Sequence, residues 1–136
     1  MTIYVLDSSA VLRYVEASAG AEMIEDILVA CVTNQAAVCV SAVQWGEIAG
    51  RLRQRFGERD EMRILSSLLP SEATIVSVSG ERAVKAAGLK IDRKIGYADA
   101  FALELAMESP DRVLVTADYG FKAVDDLAQI EFLPAK

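Results

Sequence analysis

Short apolar runs alternate with longer amphipathic segments along the whole chain, and this feature restricts the possible folds most strongly. The runs with strand character are apolar or rich in β-branched residues and span Ile3–Leu6, Val38–Val40, Ala73–Val78, Arg112–Thr116 and Ile130–Leu133. Between them, apolar residues recur at helical intervals, for example at Ile24, Ile27, Leu28 and Cys31. Strands that alternate with helices indicate an α/β fold with a parallel sheet covered on both faces.

Polar and small residues mark where the first helices are expected to begin and end. Ser8 and Ser9 are N-cap signals for the first helix, and Ser41 with Gln44 forms an S-x-x-Q pattern that predicts a capping box. The helix after Ser41 is expected to end or break at Gly57. Its apolar side chains are predicted to point inward: Trp45, Ile48, Ala49, Leu52 and Phe56.

The second half of the chain continues the alternation. Further helices are expected near Asp60–Leu69, Glu81–Leu89, Tyr97–Met107 and Phe121–Leu127. A polar connection is predicted over Lys90–Gly96, before the strongly apolar helix that begins near Tyr97. The sequence contains no internal repeat and no low-complexity tract.

Length and composition predict one domain over residues 1–136, because a chain of 136 residues is expected to form a single hydrophobic core. No apolar segment approaches the roughly 20 residues of a membrane-spanning helix, and the N-terminus lacks the pattern of a signal peptide. We therefore expect a cytoplasmic protein without membrane contact. Cys31 and Cys39 lie in apolar surroundings without metal-site spacing and are expected to be packed thiols.

The charged residues limit the possible chemistry. The chain contains no histidine, which excludes imidazole as a general base or metal ligand, so any catalysis must rely on other groups. Its net charge of −6 opposes the binding of a polyanion. A nucleic acid partner would need a local basic patch or metal ions.

Four carboxylates stand at or near the ends of predicted elements: Asp7, Glu47, Asp99 and Asp118. Each also has a purely structural interpretation. Asp7 can cap the first helix, and Glu47 can pair with Arg51 one turn onward. Asp118 can close a turn by binding its own backbone. Asp99 fits such an explanation least well, because its side of the helix faces apolar neighbours.

Ligands of open parallel sheets bind outside the carboxyl ends of the strands, at the point where the strand order reverses. If strand one lies beside strand four, all four acids converge on one pocket there. Two carboxylates about 5 Å apart repel by roughly 3 kcal/mol at an effective dielectric near 20, so such a cluster needs a cation. Oxygen ligands without histidine or thiolate suit Mg²⁺ or Mn²⁺, and a hard divalent ion favours phosphodiester hydrolysis.

Three segments resemble the PIN-domain family: VLDSSAVL at residues 5–12, YADAFALELA at 97–106 and LVTADYGF at 114–121. Within that family the chain is similar to VapC toxins in length, element order and the spacing of all four acids. The T-x-D-x-x-F pattern is the most specific single piece. The resemblance implies a Mg²⁺-dependent endoribonuclease, with Mn²⁺ as an alternative metal, and a five-stranded parallel sheet of order 3-2-1-4-5.

The resemblance also assigns roles to individual residues. It implies that Asp7 and Asp99 are the principal metal ligands, Glu47 a further acid of the site, and Asp118 the fourth acid, often acting through water. Thr116 would be a hydroxyl neighbour of these acids. The small hydroxyl residue that commonly follows the first Asp is present here as Ser8. The next position, where many members have Asn, is Ser9, a departure expected to tune activity rather than abolish it.

Partners follow from the same resemblance. VapC toxins pair with a small VapB-like antitoxin whose tail wraps the toxin, and they tend to form homodimers. The RNA substrate would be cut in an accessible single-stranded loop. Lys90, Arg93 and Lys94 precede Asp99 and are candidates for guiding the RNA backbone. Arginines also recur every four residues, as a solvated face or as contacts to RNA or antitoxin: Arg51, Arg55, Arg59 and Arg63.

Two alternative functions stay open from the sequence. A haloacid-dehalogenase-like phosphatase also uses an Asp after strand one, but it needs a second Asp two residues later, where this chain has Ser9. A non-catalytic PIN-like module could use the same fold to bind RNA or protein. Growth arrest by the wild-type chain, but not by Asp7→Ala or Asp99→Ala, would favour the nuclease.

Overall fold

Five strands of the computed structural model, which describes residues 1–136, pair in parallel to form one sheet. They are β1 (Ile3–Leu6), β2 (Ala37–Ser41), β3 (Thr74–Val76), β4 (Arg112–Thr116) and β5 (Gln129–Phe132). Their order is β3-β2-β1-β4-β5, which confirms the predicted order 3-2-1-4-5. β1 therefore lies beside β4, with Leu6 opposite Val115, and the carboxyl ends of these two strands meet.

Six α-helices and one 3₁₀ helix connect the strands. They are α1 (Ser8–Val15), α2 (Ala21–Val32), α3 (Ala42–Phe56), α4 (Glu58–Leu68), α5 (Gly80–Arg93), α6 (Tyr97–Ala106) and the 3₁₀ helix (Tyr119–Val124). The expected break between two helices is at Gly57, whose φ of 87° is accessible to glycine at little cost. None of the helices combines the length and the apolar composition that crossing a lipid bilayer requires.

Side chains of the central strands alternate between two hydrophobic clusters, one on each face of the sheet. Leu6 of β1 packs with residues of α1, α2, α3 and α4, whereas its neighbour Val5 packs with α6 and the 3₁₀ helix. In β4, Val113 and Val115 join the first cluster and Leu114 joins the second. This alternation with a period of two places helices on both faces, as predicted.

The two cysteines belong to these clusters. Cys31 of α2 packs on the first face and Cys39 of β2 on the second, and both are buried and free. Burial raises the pKa of each thiol, which keeps it protonated at neutral pH. The prediction of packed thiols is confirmed.

Two predictions for α3 are wrong. Phe56 was expected to point inward but is 42% exposed, because Leu52 is the last buried residue of the helix and the final turn extends beyond the core. Ser41 is the N-cap, accepting a hydrogen bond from the amide of Val43, but Gln44 does not complete a capping box. Its side chain is instead fully buried and binds other elements.

α5 is longer than predicted. Residues Lys90 to Arg93 were assigned to a polar connection but continue the helix, so only three residues separate it from α6. The helix persists because Leu89 packs against the core and the Arg93 guanidinium binds Asp126. It ends at Lys94, whose left-handed backbone lets its amide bond to the carbonyl of Lys90.

A buried ion pair joins α5 to α6. Residues 100–106 of α6 are all buried, including Glu104, which is only 4% exposed. Burial raises the pKa of the Glu104 carboxyl, although Arg82 of α5 lies 2.7 Å from its Oε1 and opposes that increase. Arg82 also contacts Glu108, which in turn pairs with Arg112 at 3.0 Å. This series of ion pairs links α5 to α6 and to the start of β4.

Candidate functional site

A polar cleft of about 560 Å³ opens at the carboxyl ends of β1 and β4, where the strand order reverses. The side chains that line it include all four predicted acids: Asp7, Glu47, Asp99 and Asp118. They come from four different parts of the fold: the end of β1, α3, the first turn of α6 and the residue before the 3₁₀ helix. The structure therefore brings the predicted acids together.

Asp7 is the most buried of the four, with 2% of its surface exposed. As the N-cap of α1 it accepts a hydrogen bond from the amide of Ala10 at 2.9 Å. Ser9 Oγ donates to its Oδ1 at 2.8 Å, and Thr116 Oγ1 donates to its Oδ2 at 2.6 Å. Burial raises the Asp7 pKa to about 6 although these hydrogen bonds lower it. Asp7 therefore caps α1, as one interpretation predicts, and also lines the cleft.

Two hydroxyl groups connect Asp7 to the end of β4. Besides donating to Asp7, Ser9 Oγ accepts from the amide of Ala117 at 2.9 Å. Thr116 Oγ1 likewise accepts from the amide of Asp118 at 2.9 Å. Each hydroxyl thus fixes the carboxylate after β1 relative to the chain after β4. The serine that departs from the family pattern is part of this network.

Asp99 has a different environment. It lies in the first turn of α6, is half-buried, and receives no hydrogen bond from the protein. Its pKa is raised to about 6, chiefly by burial and in smaller part by the negative charges of Asp118, Asp7 and Glu47, in that order. The electrostatic effect of all three other acids on Asp99 follows from their proximity in the cleft.

Glu47 and Asp118 are the more exposed members. Glu47 Oε1 accepts a hydrogen bond from Ser8 Oγ at 3.1 Å and forms no ion pair with Arg51, so the predicted pair is wrong. Asp118 caps the 3₁₀ helix by accepting from the amide of Gly120 at 2.9 Å. That contact matches the turn interpretation, and the side chain also lines the cleft.

Arg51 is the predicted RNA-binding residue that lines the cleft, where its guanidinium forms no ion pair. Lys90, Arg93 and Lys94 do not line it, and Arg93 binds both carboxylate oxygens of Asp126 at 3.0 and 2.8 Å. Of these, Lys90 and Lys94 are exposed at the end of α5.

The arginines that follow Arg51 lie on two helices, because Gly57 separates α3 from α4. Arg55 pairs at 2.6 Å with Glu16, the residue that follows α1, and Arg63 pairs with Asp60 of its own helix at 3.4 Å. Arg63 therefore belongs to a solvent-exposed helix face, as one interpretation predicts. Arg55 instead links α3 to the end of α1.

Two cations of the cleft were not singled out from the sequence. Arg13 lies one turn after Ser9 on α1, and its Nη1 donates to the carbonyls of Ala19 and Pro134 at 2.7 and 2.8 Å. Lys136 also lines the cleft, 3.9 Å from Glu16. The sequence could have indicated Arg13, because it lies four residues after Ser9 and therefore on the same side of α1.

The donor set of the cleft suits a hard divalent cation. All four acids supply oxygen, the chain lacks histidine, and the Asp99 carboxylate has no hydrogen-bond donor. No three acidic or thiol side chains are close enough to enclose an ion directly. Repulsion between unscreened carboxylates favours such a spread, and Mg²⁺ commonly retains several waters between itself and protein ligands. The residues therefore fit a partly hydrated ion.

Comparisons with known proteins bear on the family of this fold. A PIN-domain profile matches residues 4–127, and no curated protein matches the sequence closely. The structure is similar to a chain of VapBC2 from Rickettsia felis bound to a promoter DNA fragment, with a TM-score of 0.75 and 16% identity over 98% of this chain and 100% of that chain.

Two other solved structures are similar to this chain over most of its length. VapC20 from Mycobacterium tuberculosis, a sarcin-ricin loop cleaving toxin, has a TM-score of 0.68 and 17% identity over 90% of this chain and 95% of that chain. VapBC-1 from nontypeable Haemophilus influenzae has a TM-score of 0.67 and 16% identity over 96% and 98%. At identities of 16–17% the solved structures establish only a shared fold. The family assignment rests on the PIN-domain profile, which matches residues 4–127. This chain belongs to the PIN-domain family.

Proposed function

We propose that this chain is a divalent-metal-dependent endoribonuclease and the toxin of a VapBC-like toxin–antitoxin pair. The observation that carries the proposal is the single cleft lined by four carboxylates from four elements. Membership of the PIN-domain family supports nuclease chemistry, and one solved relative of the same fold is a sarcin-ricin loop cleaving toxin. Hydrolysis of a phosphodiester bond in RNA is the reaction that fits these features best.

In this proposal Asp7 and Asp99 are the principal ligands of Mg²⁺ or Mn²⁺, and Glu47 and Asp118 complete the site directly or through water. A divalent ion there would neutralise charge on the scissile phosphate and lower the pKa of an attacking water. Thr116 holds one oxygen of Asp7 by a 2.6 Å hydrogen bond, which leaves that carboxylate in one orientation. Asp99, free of hydrogen bonds, is the ligand most available to a cation.

RNA would reach the cleft against a net charge of −6, so local cations have to contact its phosphates. Arg51 is the first candidate because it lines the cleft and forms no ion pair. Lys90 and Lys94 are exposed and would contact RNA outside the cleft, together with Arg93 if its pairing with Asp126 is exchanged for a phosphate. A single-stranded loop would fit the open cleft better than a duplex.

A VapB-like antitoxin is the proposed protein partner. A groove between α1 and α3 adjoins the cleft and is lined by the apolar side chains Leu12, Val15, Leu52 and Phe56. Leu12, Glu16 and Arg51 line both the groove and the cleft, so one peptide could cover them together. The solved relatives from R. felis and H. influenzae are VapBC structures, which supports this kind of partner.

The homodimer and the cytoplasmic location stay predictions. Analytical ultracentrifugation of the purified chain, alone and with its antitoxin, measures the first. Fractionation of cells that express the chain measures the second.

The nuclease proposal is tested by incubating the purified chain with an RNA stem-loop and Mg²⁺ or Mn²⁺. Asp99→Asn is the sharpest variant, because the Asp99 carboxylate has no structural hydrogen bond to lose. We expect cleavage to fall by at least about 100-fold, since even outer-shell partners of a metal often contribute 10–100-fold. Addition of EDTA should abolish cleavage by the wild type.

Glu25→Gln is the matched control, because Glu25 is exposed on α2 and does not line the cleft. It removes one negative charge, as Asp99→Asn does, and should cleave RNA at the wild-type rate. Cleavage that survives both EDTA and Asp99→Asn would contradict the proposal. Growth arrest by wild type and Asp99→Asn alike would favour the non-catalytic binding module.

A further inference from the structure

Gln44 is a fully buried polar residue in the first turn of α3. Its carboxamide forms two hydrogen bonds to distant backbone groups. Oε1 accepts from the amide of Ser8 at 2.7 Å, and Nε2 donates to the carbonyl of Ala98 at 2.6 Å. The partners lie 36 and 54 residues away in the sequence, so these bonds join segments that share no local structure.

Both partners are direct neighbours of proposed metal ligands. Ser8 follows Asp7, and Ala98 precedes Asp99. Gln44 therefore connects the start of α1 to the start of α6. The two backbone groups that it binds belong to the residues next to Asp7 and Asp99. Glu47 lies one turn further along the same helix as Gln44 and accepts from Ser8 Oγ. Three of the four acids are thus held in relation to one carboxamide.

The neutral amide of Gln44 has the length and the chemistry to satisfy both backbone groups. The amide of Ser8 needs an acceptor and the carbonyl of Ala98 offers another acceptor, so the side chain must accept at one atom and donate at the other. A glutamate would place a carboxylate against the Ala98 carbonyl, and an aliphatic side chain would satisfy neither group. Asparagine is one methylene shorter and cannot span the same two positions without a backbone shift.

We infer that Gln44 is a positioning residue that sets the separation of Asp7 and Asp99, and through it the affinity of the cleft for a divalent cation. The inference rests on the proposed function for the identity of the cation. It adds a fully buried residue that does not line the cleft and acts through the backbone of Ser8 and Ala98. A second network, through Ser9 and Thr116, relates Asp7 to Asp118.

The test measures Mn²⁺ binding to the purified chain by isothermal titration calorimetry, for wild type, Gln44→Met and Gln44→Asn. Methionine keeps the length and volume of the side chain and removes both hydrogen bonds. We expect Gln44→Met to bind Mn²⁺ at least about tenfold more weakly, as is typical when an outer-shell contact is lost. Gln44→Asn keeps a neutral carboxamide but is too short to bind both Ser8 and Ala98, and it decides between the outcomes if the methionine variant does not fold; it too should bind Mn²⁺ more weakly than wild type.

Ser41→Ala is the matched control for loss of stability. Ser41 caps the same helix but contacts only the amide of Val43, so its loss weakens α3 without touching Ser8 or Ala98. We expect wild-type Mn²⁺ affinity for the folded Ser41→Ala protein. In RNA cleavage, Gln44→Met should need more Mn²⁺ for half-maximal rate while the KM for RNA at saturating Mn²⁺ stays unchanged.

Two outcomes would overturn the inference, and they differ in what else they affect. If wild type binds Mn²⁺ and both Gln44 variants bind it equally well, the positioning role is wrong and the nuclease proposal stands. If wild type itself binds no Mn²⁺ and cleaves no RNA, the metal-dependent function is wrong as well.

Discussion

Asp7 shows how one side chain can serve the fold and the site together. It caps α1 through the amide of Ala10, and the same carboxylate faces the acidic cleft. Because Ser9 and Thr116 donate to its two oxygens, the protein itself fixes the orientation of this carboxylate. Capping and metal binding were alternative interpretations of the sequence, but a carboxylate with two oxygens can do both.

At the residue scale, we predict that Ser9→Ala lowers the free energy of unfolding by about 1–2 kcal/mol, because it leaves the Ala117 amide without its acceptor. Asp7 also loses one donor. Chemical denaturation measures the effect. Ser8→Ala is the control: its hydroxyl bonds only to exposed Glu47, and we expect a change below about 0.5 kcal/mol. Equal changes in the free energy of unfolding for the two variants would show that the hydrogen bonds of Ser9 add no more stability than the exposed bond of Ser8.

At the scale of elements, α5 shows where local signals misplace a boundary. The polar residues from Lys90 to Lys94 are typical of a connection, yet the helix continues to Arg93 because Asp126, from a distant segment, binds the Arg93 guanidinium. The helix then ends at Lys94, which adopts φ 58° and ψ 44°. A left-handed lysine at this position is unfavourable compared with glycine.

We predict that Lys94→Gly raises the free energy of unfolding by about 0.5–1 kcal/mol, because relief of the left-handed conformation exceeds the added entropy of the unfolded chain. Thermal unfolding measures the effect. Lys90→Gly removes the same charge from within the helix and should lower the free energy of unfolding by about 1 kcal/mol. A loss of stability in both variants would contradict the backbone explanation.

At the scale of the whole molecule, the sheet order concentrates acids at one edge, and this makes the stability of the protein depend on pH. The pKa of Asp7 rises from 3.8 to about 6 on folding, chiefly through burial, and that of Asp99 rises to about 6 as well. Folding therefore favours the protonated forms. Their contribution to stability is fully present below pH 3.8 and is lost as the pH rises through 6.

We predict that the metal-free protein loses stability between pH 5 and pH 7.5. For Asp7 the whole change in pKa corresponds to at most about 3 kcal/mol, and about half of this loss falls above pH 5. Addition of Mg²⁺ should raise the Tm at pH 7.5 and have little effect at pH 5, where protons compete for the ligands. Asp99→Asn should flatten the pH dependence, measured by thermal unfolding in EDTA. A Tm that is constant over this range in wild type would contradict the raised pKa values.

Much of this architecture could be read from the sequence because its signals are local. A run of apolar side chains indicates a strand. Apolar residues at helical intervals and capping residues such as Ser41 indicate a helix. The positions of Asp7, Glu47, Asp99 and Asp118 at element ends were visible for the same reason. The strand order itself came from the resemblance to PIN domains, since alternation alone does not specify which strands are neighbours.

What the sequence by itself determined was the set of elements, the parallel sheet and the carboxylates available at its edge. Only the tertiary structure decided that Gln44 joins Ser8 to Ala98, that Arg51 stays unpaired in the cleft, and that Asp126 engages Arg93. The physical reason is that hydrophobic periodicity acts over a few residues, whereas a side-chain hydrogen bond depends on which distant segments the sheet brings within about 3 Å.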